Sequence, residues 1–183
     1  LLVILKDMDK KSPFAAEVIT TKTGDYIIMS RNDLISKVLI QYGEWEPDAV
    51  MLLKEFLRLD PGDVVDIGAN MGAVAIPLAK AFPDSRIYAF EAQRLVYQQL
   101  CGNAVLNGAT NIYPFHMAIG GLEDDGRMVD IPIPDYASEQ NVGSVSLDAR
   151  VNEAGGRAYQ AYEKVAMAAM DTLGLTDISL VKI

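Results

Sequence analysis

At 183 residues the chain is long enough for one domain with a sizeable core, and at 50% apolar residues with 14 Gly and 8 Pro it is globular rather than disordered. No apolar run approaches the roughly 18 residues that a membrane span needs. Asp and Glu number 25 against 16 Lys and Arg, and a formal charge of −9 without a dense basic stripe repels phosphate backbones, which makes nucleic acid a poor default partner.

In chain order, "LLVILKDMDKK" holds too few apolar residues before its charges for the core of a signal peptide. Residues 1–60 read as an N-terminal segment of strands plus a helix that packs on the core. "GDYIIMS" alternates as a strand does, and Asp33 and Leu34 open a further apolar stretch. "EWEPDAVMLLKEFLRLDPGD" reads as a helix, with Pro47 in its first turn, Asp48 next, and a stop at Asp60-Pro61-Gly62.

Residues 61–183 change to alternating strands and helices. "VVDIG" is a short buried-type strand, followed by a glycine loop and the helix "GAVAIPLAKAF", in which Pro77 predicts a kink or a short first turn. "RIYAFEA" is a second strand, "RLVYQQLCGNAVLNG" a second helix and "NIYPFHMAIG" a third strand. "RMVDIPIPD" reads as an edge strand because of its prolines. "NVGSVSL" and "EKVAMAAM" read as further strands, joined by a loop over "VNEAGGRAYQAY", and "DISLVKI" closes the chain as a buried-type strand. Strands separated by single helices predict a Rossmann-like, doubly wound, mostly parallel α/β sheet. The single cysteine, Cys101, cannot form an internal disulfide, which suits a reducing compartment, most simply the cytoplasm.

In such a sheet, ligands bind outside the carboxyl ends of the strands. The first such end is Asp66-Ile67-Gly68-Ala69-Asn70-Met71-Gly72. Gly68 permits a tight turn, and Gly72 is expected to let backbone approach a ligand. The following helix is expected to point its N-terminus at the site. Glu91 ends the second strand nineteen positions after Gly72, where a carboxylate accepts both hydroxyls of a ribose. The spacing is Gly-x-x-x-Gly rather than the Gly-x-Gly-x-x-Gly of a dinucleotide site, with Asn70 where that site has glycine. Asp66 opposes phosphate and attracts an ammonium group, so charge and spacing favour S-adenosylmethionine over a dinucleotide. A plain glycine turn with an unrelated Glu is the alternative.

Taken together, "GEWEPD", "LDPGDVVDIGANMGAVAIPLAK", "SRIYAFEA", "CGNAVLNG", "NIYPFHMAIG" and "MDTLGLTDISLVKI" resemble the FkbM family of S-adenosylmethionine-dependent methyltransferases, from about Asp33 to the last residue. The resemblance implies a class I methyltransferase fold and, usually, methylation of a hydroxyl. It puts Asp66, Gly68, Ala69, Asn70, Gly72 and Glu91 on the cofactor motif. Ala92 stands where the family often has proline. In the family the "VKI" strand runs on into an acidic residue and further strands, so the resemblance implies a chain truncated after its fourth core strand, with an apolar sheet edge left open.

Methyl transfer to a hydroxyl calls for a base or a polarising group. His116, the only histidine, is one candidate, although a lone His in an apolar strand is commonly structural. Lys182, at the carboxyl end of the last strand, is the other; it either orients the acceptor or belongs to a buried ion pair. Trp45 and Glu46 stand before the first helix and close over the cofactor, and Ala118 leaves room for the adenine. Asn141, Ser144 and Ser146 form a polar stretch suited to an acceptor rim, and equally to loop hydrogen bonding. No metal is implied. The favoured acceptor is a small molecule or carbohydrate. An RNA (tRNA) methyltransferase and a nonenzymatic cofactor-binding domain remain as alternatives.

Overall fold

The computed structural model describes residues 15–137 and 141–183; the opening apolar run, excluded above as a signal peptide, lies outside them. Four parallel strands form the central sheet: β3 (Asp63–Ile67), β4 (Ile87–Glu91), β5 (Ile112–His116) and β9 (Ile178–Lys182), in the order β5-β4-β3-β9. In chain order this is 3-2-1-4, so the sheet first grows to one side of β3 and then reverses to the other. The expected doubly wound α/β architecture is present, and its switch point lies at the carboxyl end of β3.

Alternation along the strands supplies two faces. Val64, Ile87 and Ala89 enter the larger core, while Val65, Tyr88 and Phe90 enter a second one with Phe115 and Ile178. The larger core is covered by α2 (Pro47–Leu59), α3 (Ala75–Ala81) and α4 (Arg94–Leu106), through residues such as Leu57, Ile76, Leu78 and Leu100. Pro47 opens α2 as expected. Helix α3 starts three residues later than the pattern predicts, so Pro77 falls in its first turn, where its missing N–H breaks no helical bond.

The N-terminal segment forms a hairpin, β1 (Glu17–Thr20) against β2 (Asp25–Ile28), and then α1 (Leu34–Tyr42), capped by Asp33. Strand β2 has β1 on one edge only. Its other edge is satisfied by three amides spaced four residues apart on one face of α4: Gln99, Asn103 and Asn107. Asn103 Oδ1 accepts the Ile27 N–H at 2.6 Å, Gln99 Nε2 donates to the Ile27 carbonyl at 2.7 Å, and Asn107 exchanges bonds with both backbone groups of Asp25.

The expected third strand divides at Met117 into β5 and β6 (Ala118–Gly120). Strand β6 joins a second sheet with β7 (Met128–Pro132) and β8 (Tyr162–Ala169), in the order β6-β8-β7. Strand β7 lies at its edge, as its prolines predict. Two expectations are corrected. "NVGSVSL" is not a strand but a 3₁₀ turn at Val142–Ser144 followed by irregular chain, because side chains rather than a neighbouring strand take up its backbone groups. The "VNEAGGRAYQAY" loop begins within a short helix, α5 (Ala149–Ala154), capped by the Asp148 carboxylate on the Arg150 N–H. Among the described residues, no helix is long and apolar enough to cross a membrane.

Candidate functional site

Beyond β3 the chain turns through three left-handed residues in five: Gly68 (φ 69°), Asn70 (φ 51°) and Gly72 (φ 89°). The two glycines play different parts. A Cβ on Gly68 would meet nothing within 4 Å, so that position is bare toward open space. A Cβ on Gly72 would lie 2.9 Å from Leu100 Cδ1 and 3.2 Å from Ile76 Cδ1. Gly72 therefore faces the core, which corrects the expectation that it bares backbone to a ligand. Asn70 steadies its own αL conformation by accepting the Met71 N–H on Oδ1 at 2.7 Å.

Glu91, the last residue of β4, is buried beside this turn. Its Oε2 accepts the Asn70 N–H at 3.0 Å and its Oε1 accepts the Gln93 N–H at 2.8 Å. Burial pushes its carboxyl above the usual range, against the opposing effect of the backbone N–H groups of Gln93, Asn70 and Ala92. Asp66, on β3, is wholly buried, and burial pushes its carboxyl up as well, partly offset by Lys182. Lys182 Nζ stands 3.0 Å from Asp66 Oδ1 and donates to the Gly68 carbonyl at 3.3 Å. The pair is at ionic distance but poorly aligned: among the described residues neither Asp66 oxygen receives a directed hydrogen bond.

Two cavities flank the turn. The first, about 200 Å³, is walled by Gly68, Asn70, Glu91, Ala92, Gln93 and Ala118, with an apolar lining that includes Phe90, Met117, Ile119 and Ile131. The second, about 310 Å³, takes in Trp45, Glu46, Ala69, Asn141, Ser144 and Lys182. They share Gly68, Asn70 and Gly143. Glu46 enters the second cavity from a left-handed N-cap (φ 43°), a conformation that costs energy in a residue with a side chain. Most of the residues singled out in the sequence thus converge on one cleft. Asp66 and Gly72 lie behind its wall. His116 lines neither cavity; its Nε2 is 3.0 Å from the Ala92 carbonyl and its ring stacks on Tyr97 at 5.3 Å.

The strap over residues 141–147 walls both cavities, and side chains from elsewhere hold its backbone. Asp33 Oδ1 accepts the Val142 N–H at 3.1 Å and Gln93 Nε2 donates to the Val142 carbonyl at 2.9 Å. Arg157 donates to the Ser144 carbonyl, and Asn152 takes both backbone groups of Ser146. Ser146 Oγ in turn accepts the Asp148 N–H, and Ser144 Oγ donates to the Asn141 carbonyl. A Cβ on Gly143 would come within 2.9 Å of Asn70 Nδ2, so the strap passes the turn where only glycine fits without a shift. The sequence did not single out Asp33, Gln93 or Asn152 as clamps. Asp33 carried the signal of an N-cap, with Ser36 three residues on, but Gln93 and Asn152 carried no local signal.

No protein-family model and no curated protein matches the chain. Solved structures similar to it include M. jannaschii TYW2 in complex with AdoMet (20% identity over 62% of this chain and 53% of that one, TM-score 0.39). A complex of aTrm5 with tRNALeu is similar at 15% identity, over 63% of this chain and 39% of that one, TM-score 0.39. A SAM-dependent O-methyltransferase from Thermotoga maritima is similar at 16% identity, over 68% of this chain and 59% of that one, TM-score 0.36. The chain spans between 39% and 59% of the length of these proteins.

Proposed function

We propose that the chain binds S-adenosylmethionine across the two cavities and acts as a class I methyltransferase of the FkbM type on a hydroxyl of a small molecule or carbohydrate. One observation carries this reading: the bare turn at Gly68 and the Glu91 carboxylate meet in one cavity at the switch point of a sheet ordered 3-2-1-4. Each Glu91 oxygen takes one well-aligned backbone hydrogen bond, from Asn70 or from Gln93, and has a lone pair for a ribose hydroxyl. The apolar lining, with the small side chains of Ala92 and Ala118, suits a purine. Gly68 leaves the side of the turn toward both cavities bare, so the amino-acid tail reaches the second cavity, where Glu46 offers negative charge to its ammonium.

When bound, the cofactor supplies a methyl group already activated on a sulfonium. The residues of this chain have to hold the acceptor oxygen in line, about 3–3.5 Å from that carbon. Asn141, Ser144 and Lys182 face the second cavity and are the groups available to orient it. Lys182 is held in place between Asp66 and the Gly68 carbonyl, which suits it to orient the acceptor. His116 is engaged by the Ala92 carbonyl and keeps a structural place at the end of β5. The formal charge of −9 supports a small acceptor over nucleic acid, and a single cysteine fits a cytoplasmic setting. Calorimetric titration with S-adenosylhomocysteine tests the reading: saturable 1:1 binding is expected, and its absence from the folded chain overturns the assignment.

A further inference from the structure

We propose that Gln93 reads the 6-amino group of the adenine and relays the filling of the first cavity to the strap over residues 141–147; this rests on the assignment of S-adenosylmethionine above. Gln93 is only 4% exposed and lines the first cavity. Its backbone N–H donates to Glu91 Oε1, and its side-chain Nε2 donates to the Val142 carbonyl. That carbonyl fixes which way the amide faces, because the reverse orientation would set two acceptors against each other. Oε1 is therefore the atom left over, and among the described residues nothing donates to it. A buried amide oxygen without a donor is costly and rare, and one in the wall of a ligand cavity points to a donor on the ligand.

The chemistry of an adenosine narrows that donor. It carries two ribose hydroxyls and one exocyclic amine. Glu91 has a lone pair for each hydroxyl, which leaves the amine for Gln93. A 6-oxo purine would present an acceptor at the same place and be rejected.

The other end of the same side chain bears on the acceptor. Val142 is clamped between Asp33 and Gln93, and Gly143 next to it walls both cavities. Val145 and Leu147 of the strap border the first cavity, while Asn141 and Ser144 border the second. A hydrogen bond that steadies Gln93 from the cofactor side therefore steadies the wall of the acceptor cavity. Filling of the first cavity thus favours an ordered second one, and a ligand lacking the amine fills the first cavity without ordering the second.

The test compares S-adenosylhomocysteine with S-inosylhomocysteine on the full chain, reading affinity by calorimetry and amide exchange of residues 141–147 by mass spectrometry. The adenosyl ligand is expected to bind on the order of tenfold more tightly and to slow exchange across the strap, whereas the inosyl ligand slows it less. Gln93→Met keeps the length of the side chain and is expected to bind both ligands alike, with strap exchange close to that of the free protein. Equal wild-type affinity for the two ligands overturns the proposal, as does strap exchange that the adenosyl ligand leaves unchanged. Wild-type chain that binds neither ligand overturns the cofactor assignment itself, and this proposal with it. The ligand comparison on the wild type decides the matter whether or not the Gln93→Met chain folds.

Discussion

Replacing Glu91 by Gln should weaken S-adenosylhomocysteine binding roughly 30- to 150-fold while leaving the fold nearly as stable. In the proposed complex, two ribose hydroxyls would donate to an ionised carboxylate that already holds the Asn70 and Gln93 N–H groups. Hydrogen bonds to a charged group contribute about 1.5–3 kcal/mol each and neutral ones about 0.5–1.5 kcal/mol. The amide also offers one acceptor atom instead of two. A net loss of about 2–3 kcal/mol follows, which is the stated range in affinity. Stability responds to two opposing effects. One backbone N–H loses its acceptor, but the buried charge disappears, and burial had pushed that carboxyl above its usual range. These nearly cancel, so the melting temperature should move by no more than about 2–4 °C. The pH profile sharpens the test. An ionised carboxylate is the better acceptor, so wild-type affinity should fall as pH drops into the raised titration range of Glu91, above the ordinary value of about 4.3, whereas the variant should be flat there. Calorimetry across pH 5 to 8 reads both. A Gln variant that binds within twofold of wild type, or that keeps the wild-type pH slope, refutes the role given to Glu91.

The two glycines of the turn should respond in opposite senses. Gly72→Ala sets a Cβ 2.9 Å from Leu100 at a left-handed φ and should cost about 2–4 kcal/mol of stability, seen in urea unfolding. Gly68→Ala meets open space and should cost only about 1–2 kcal/mol, yet it should weaken the ligand more; a larger stability loss at Gly68 would reverse the assignment. Asn103→Leu, at a fully buried side chain, leaves the half-buried Ile27 N–H and the buried Met71 carbonyl without that partner and should cost about 2–5 kcal/mol, checked by the urea midpoint. Asp66→Asn bears on pH. Burial raises the folded-state carboxyl above its unfolded value, so the folded state holds more protons, and stability from this group is greatest at low pH and falls as pH rises from about 3.9 through the raised value. The Asn variant should lose that part of the slope in melting temperature between pH 4 and 8, and an unchanged slope would mean that Asp66 is not its source.

What could be read from the sequence is what short-range rules control. Strand β3, the turn after it and strand β4 declare themselves because a buried parallel strand is a continuous apolar run and a left-handed turn demands glycine or asparagine. The same rules do not say which way a missing side chain faces, and so Gly72 was assigned to the ligand although Leu100 and Ile76 claim its space. Strand β1 escaped notice because "EVIT" is short, and what secures its hairpin is a row of amides on α4 more than seventy residues away. Gln99, Asn103 and Asn107 were visible in the sequence at four-residue spacing, a polar stripe on a helix that otherwise buries apolar residues, and that stripe was the signal for a buried partner.

The strap lies further from what local rules control. "NVGSVSL" alternates as a strand does, and alternation alone predicts one. A strand, however, needs a neighbour to take its backbone groups, and here Asp33, Gln93, Arg157 and Asn152 take them instead. Those clamps come from the start of α1, the start of α4 and the region of α5, so the segment's shape is set by contacts that no local pattern encodes. This divides the site in two. The half proposed to hold the methyl donor is built from Gly68 to Glu91, within one strand-turn-helix-strand unit. The half proposed to take the acceptor is walled by a strap held by Asp33 and Gln93 from distant parts of the chain and by Asn152 and Arg157 from nearer ones, together with Trp45 and Glu46. On this reading, replacing a clamp such as Asp33 or Asn152 by Ala is expected to reshape the wall of the second cavity and leave the turn from Gly68 to Gly72 untouched.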